Sequence, residues 1–156
     1  MTSKTLVVYY SWSGTTKRAA QVIAAQAGAD LVELTVAENT FPREMNATFE
    51  TAQRQMATGN LPALTNSLPD LGQYTTLLVG GPVWGAKVAT PVRRFLQQLT
   101  GYAGVVAPFY ADAGTPGDYQ QDFAGLVSGP LVRTGLEAQP TLSPEQVTAW
   151  LAEIKN

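Results

Sequence analysis

Four hydroxyl residues crowd a single glycine in Ser11-Trp12-Ser13-Gly14-Thr15-Thr16. The chemistry open to this cluster is anion binding. Hydroxyls donate hydrogen bonds, glycine lets a backbone pass close to a ligand, and a helix starting here adds unpaired N–H groups with partial positive charge. An ordinary helix cap needs one hydroxyl rather than four. A phosphate dianion held by about four to six charge-assisted hydrogen bonds, each worth roughly 1.5–3 kcal/mol, needs no lysine. Rival phosphate motifs are absent: there is no GxxxxGK[ST], and no GxGxxG follows the first apolar run. A phosphorylatable receiver domain would need carboxylates at the ends of strands one and three, where this chain has tyrosine and Gly-Pro. The motif therefore reads as a neutral nest for a terminal phosphate monoester.

The residues that are missing narrow the chemistry further. The 156-residue chain has no cysteine and no histidine, which removes thiolate nucleophiles, iron–sulfur ligation and the commonest general base. Reactivity must come from hydroxyls, carboxylates, lysines or a cofactor. Net charge is −2 with only 14% charged residues and no basic run, so nucleic acid and anionic membrane surfaces are not expected partners. No apolar stretch approaches a membrane span, and the first apolar run lacks the form of a signal peptide, so a cytoplasmic location is expected. The length suits one domain, 1–156, with a full core.

The elements that must position the nest follow from periodicity. Strands are predicted at Thr5–Tyr10, Asp30–Val36, Thr75–Val79, Gly104–Tyr110 and Leu131–Gly135. The third ends in Gly80-Gly81-Pro82. Helices are predicted from Gly14 to Ala27, near Arg43–Thr58 with a Gly59-Asn60 stop, from Thr90-Pro91 with Thr90 as cap, over Tyr119–Val127, and after Ser143. The last opens Ser143-Pro144-Glu145-Gln146, a capping-box pattern, and buries Val147, Trp150, Leu151 and Ile154. Alternating strands and helices imply an α/β fold with a parallel sheet covered on both faces. Ligands in such sheets bind beyond the strands' carboxyl ends. Three loops leave those ends with unusual chemistry: Ser11–Thr16, Gly81–Lys87 and Ala111–Tyr119.

These loops carry a family resemblance. Ser11 through Thr16 resembles the flavodoxin phosphate loop, [ST]-x-[ST]-G-x-T. Gly81-Pro82-Val83-Trp84-Gly85 followed by Pro91-Val92 resembles the second flavin loop of short flavodoxin-like proteins, and Gly117-Asp118-Tyr119 to Asp122-Phe123 the third. The resemblance implies a single-domain, three-layer flavodoxin-like sandwich with sheet order 2-1-3-4-5. It also implies FMN as cofactor, with its phosphate in Ser11, Trp12, Ser13, Gly14, Thr15 and Thr16. The flavin ring would lie between Pro82, Val83, Trp84, Gly85 and Ala86 on one side and Asp112, Ala113, Gly114, Asp118 and Tyr119 on the other. Trp84 is the expected stacking platform or, alternatively, a core aromatic. Trp12 faces ligand or surface, and Lys87 is a ligand contact or a solvated lysine. Asp112 and Asp118 line the ring's pyrimidine edge or form turns. The backbone at Trp84-Gly85-Ala86 would partner flavin N5.

Phe41, Met45, Phe49 and Met56 have helical spacing and read as core rather than as a substrate wall. The family implies an electron carrier between redox partner proteins. The alternatives are an FMN-dependent NAD(P)H:quinone-type reductase taking a small quinone or nicotinamide, and a flavin-free module. A monomer or a homodimer is equally compatible. No metal site and no catalytic side chain are expected. Gly85 stands where many relatives carry a second aromatic, and the chain is less acidic than typical flavodoxins.

Overall fold

The computed structural model describes residues 4–12, 14–38, 40–84, 87–99, 102–111, 117–127, 131–138 and 142–155. Its frame is a parallel ladder of β1 (Thr5–Tyr9), β3 (Thr76–Trp84) and β5 (Val105–Ala111), flanked by β2 (Asp30–Glu33) on one side. On the other side lie β6 (Leu131–Val132) and β7 (Leu136–Glu137), both paired with β5. The path β2-β1-β3-β5-β6 is the expected 2-1-3-4-5 order. One addition is β4 (Lys87–Val88), which folds back antiparallel on the end of β3.

Strand alternation sends side chains to two cores. Leu6, Val8, Leu77, Val79 and Val106 face one side, where Val92, Phe95, Tyr119 and Phe123 cover them. These come from α3 (Thr90–Leu96) and α4 (Tyr119–Leu126), and α2 (Met45–Thr58) adds Ala52. Val7, Tyr9, Leu78, Ala107 and Phe109 face the other side, against Ala20 and Ile23 of α1 (Thr15–Ala27) and Val147, Trp150 and Ile154 of α5 (Pro144–Lys155). The capping box of α5 forms as read: Gln146 N–H donates to Ser143 Oγ at 3.3 Å, and Ser143 N–H to Gln146 Oε1 at 2.8 Å. Thr90 does not cap α3. Its buried hydroxyl donates to Gln55 Oε1 at 2.6 Å and ties α3 to α2.

Three strands differ from expectation. The second stops at Glu33, because the chain then leaves β1 for the 64–66 segment. Val36 bridges Leu64, and Thr35 N–H donates to Asn66 Oδ1. The third continues through Gly80-Gly81-Pro82 to Trp84. Its glycines serve close packing, not a stop: a Cβ on Gly80 would lie 2.1 Å from the Phe109 ring, and one on Gly81 2.6 Å from Val92 Cγ2.

The fifth strand is split by a bulge. From Val106 to Phe109 is three residues, while their partners Val132 and Leu136 are four apart. Pro108 explains the position. Val106 O and Tyr110 O both accept from the fifth-strand side, so Pro108, between them, presents its missing N–H to that side. The bulge's freed groups are taken by side chains. Gln120 accepts from Gly135 N–H at 2.7 Å and donates to Arg133 O at 3.3 Å, and Trp150 Nε1 donates to Thr134 O at 2.9 Å. A Cβ on Gly135 would lie 2.6 Å from Gln120 Oε1 and 2.8 Å from Pro108 O. Gly135→Ala is therefore expected to destabilise the fold by about 1–3 kcal/mol, read as a lower urea midpoint at unchanged slope.

Candidate functional site

A parallel ladder brings the carboxyl ends of β1, β3 and β5 to one edge, where the three predicted loops emerge. At the first, the chain turns through Gly14, whose φ of 100° is left-handed, straight into α1. Ser11 folds over the new helix end. Its Oγ accepts from Gly14 N–H at 3.0 Å and from Lys17 N–H at 3.2 Å. Two amides thus converge on one oxygen, the arrangement an anion needs. The first turn of α1 holds no acidic residue, and Lys17 and Arg18 are exposed beside it. The local field therefore favours negative charge. Thr16 is buried and Thr15 half-buried. Ser13 lies outside the described residues.

Beside this turn stands an aromatic cluster. Trp84, at the end of β3, is 3% exposed. Tyr10 meets it edge-on at 5.9 Å and Phe41 at 5.1 Å, and Tyr10 and Phe41 lie 6.2 Å apart. Trp84 sits in the core cluster, at the carboxyl end of β3. Its Nε1 is buried with no hydrogen-bond partner. A buried donor without an acceptor costs about 1–3 kcal/mol, which a polar ligand would relieve. Trp12 and Tyr10 line a groove of about 380 Å³ with Phe41, Pro42 and Arg43. Anion-binding amides, an orphan indole N–H and an aromatic-walled groove at one edge suit a phosphate-bearing planar ligand.

The remaining predicted residues fall in different places. Pro82 and Val83 are half-buried at the tail of β3, and Lys87 is half-buried in β4. Asp118 is exposed just before α4 and makes no side-chain cap. Tyr119 is fully buried against Tyr110, 4.7 Å away, and Phe123. Its hydroxyl has no partner, and burial pushes its pKa far up. Gly85, Ala86, Asp112, Ala113 and Gly114 lie outside the described residues. Among the described residues, no cluster of acidic side chains could hold a metal, and no helix is long and apolar enough to cross a membrane.

Sequence reasoning did not single out Tyr10 and favoured core packing over a substrate wall for Phe41. Tyr10's signal was available, since it ends strand one next to the hydroxyl cluster. Burial pushes the Tyr10 hydroxyl up to about 12. A folded-state pKa above the unfolded value of about 10 leaves stability unaffected below pH 10 and erodes it above, as the unfolded chain ionises first. Unfolding free energy should fall between pH 10 and 12, and Tyr10→Phe should remove part of that slope, by up to about 1.4 kcal/mol per pH unit in urea titrations.

A family model described as flavodoxin matches residues 4–154. A flavoprotein from Lactobacillus acidophilus, solved in complex with FMN, is similar at 32% identity. That match has a TM-score of 0.85 and covers 96% of this chain and 99% of that one. A flavoprotein from Bacteroides eggerthii (24% identity, TM-score 0.85, 99% of each chain) shares the fold. So does the two-electron reduced flavodoxin of Megasphaera elsdenii (20%, 0.60, 97% and 99%). No curated protein matches the sequence. With the family model spanning nearly the whole length and the sheet order in place, the chain belongs to the flavodoxin family.

Proposed function

We propose that this protein binds FMN at the carboxyl edge of its sheet and carries electrons between redox partners. The observation that carries the reading is the start of α1, where the Gly14 and Lys17 amides already converge on one oxygen, that of Ser11, the residue next to Tyr10 of the Trp84 cluster. The Lactobacillus flavoprotein, with FMN, supports the choice of ligand. When bound, FMN supplies reversible uptake of one or two electrons.

The chain's own residues then have separable tasks. The hydroxyls of Ser11, Ser13, Thr15 and Thr16 and the α1 amides hold the phosphate, with Ser11 Oγ yielding its amides to a phosphate oxygen. Tyr10, Trp12, Phe41 and Trp84 supply apolar walls that exclude water from the ring. Pro82 through Ala86 would flank one side of the ring, and residues of the 112–119 segment the other. The backbone of Trp84-Gly85-Ala86 would be the partner of flavin N5. Without histidine or cysteine the chain offers no ready acid–base or nucleophilic group to a second substrate, which favours a carrier.

Binding of FMN and riboflavin, followed by fluorescence quenching, tests the phosphate assignment. Thr16→Ala should weaken FMN at least about tenfold and leave riboflavin within about twofold. Equal losses for both would place the phosphate elsewhere. Stepwise reduction of the holoprotein tests the carrier reading. Two resolved one-electron midpoints without NAD(P)H oxidation are expected. A protein that takes up no FMN would overturn the cofactor, and steady quinone reduction with NADPH as sole donor would overturn the carrier.

A further inference from the structure

The loop set against the flavin ring in this functional reading hangs on a hairpin with only two residue pairs, Val83↔Val88 and Trp84↔Lys87. Two pairs do not hold a hairpin in one geometry. What holds this one is a buried charged clasp. Val88 N–H donates to Asp122 Oδ2 at 2.9 Å, and Arg93 Nε donates to Val88 O at 2.9 Å. Arg93 Nη2 closes the ring on the same Asp122 Oδ2. Both side chains are only 13% exposed. Asp122 belongs to α4, which follows the third loop, and Arg93 to α3, which follows the hairpin.

A buried ion pair is a poor device for packing two helices, since apolar residues of similar size do as well or better. Apolar residues cannot satisfy the N–H and C=O of one strand residue together. We propose that Arg93 and Asp122 are positioning residues for the cofactor site: they fix both backbone groups of Val88, and through it the β4 arm of the hairpin, relative to α3 and α4. The proposal rests on the functional reading for its ligand, but the clasp can be observed without one.

The principal test is the double substitution R93M/D122L, which removes both charges together and orphans neither. Without flavin, the Val88 amide should exchange at least about tenfold faster than in wild type, while the far-ultraviolet spectrum is kept. Riboflavin and FMN should weaken by the same factor, about tenfold, unlike the phosphate-loop variant. The midpoint of the first one-electron reduction should also move. D122N retains a carbonyl acceptor for Val88 and should rescue most of the affinity. If the double variant does not fold, R93K gives the same reading. Its ammonium can pair Asp122 but cannot also span to Val88 O as guanidinium does, so riboflavin affinity must still fall. Unchanged Val88 exchange, or unchanged riboflavin affinity in a folded clasp variant, overturns the proposal. Failure of wild type to bind any flavin would instead overturn the functional reading, leaving the exchange result to judge the clasp.

Discussion

The parallel register of β1, β3 and β5 is the constraint on which the rest depends. Thr5 pairs with Thr76 and Thr76 with Val105, so the three strands start together and run in one direction, with β3 reaching furthest at the carboxyl edge. Such a ladder cannot be closed by tight turns, and it exposes two apolar faces that need helices. The crossovers therefore supply the covering layers, and the carboxyl ends of the strands collect the loops. The hydroxyl turn after β1 and Trp84 at the end of β3 come to the same edge because β1 and β3 pair directly.

The ladder is irregular in two places, and α4 attends to both. Gln120 takes up the backbone groups freed at the fifth-strand bulge, while Asp122 takes the N–H of Val88 beyond the end of β3. Tyr119 and Phe123 anchor the same helix in the core. This short helix thus spends its apolar residues on the sheet and its polar ones on the segments the sheet leaves unpaired. The aromatic cluster at the site rests on a scaffold whose exceptions are hydrogen-bonded rather than merely tolerated.

Local pattern revealed most of this. Helix α1 and the capping box of α5 are written in short-range chemistry, and so is the hydroxyl turn. What could not be read locally depends on partners far along the chain. Gly80-Gly81-Pro82 looks like a stop, but Phe109 and Val92 are what require the glycines. Leu131–Gly135 looks continuous, and Pro108 on another strand breaks it. Whether Trp84 is platform or core aromatic could not be read until Tyr10 and Phe41 are seen packed against it, and no spacing rule places Asp122 beside Val88.

The ring of Phe109 lying in the space where Gly80 has no side chain carries a consequence for how the family can vary. The two positions share one volume across paired central strands, so neither is free to drift alone. A lineage that gains a methyl group at Gly80 must first, or at the same time, shrink Phe109, and the reverse path leaves a hole between β3, β5 and α5. Sequences of this type should thus fall into two sets, glycine with a large aromatic or a larger residue with a small one, separated by intermediates that fold poorly.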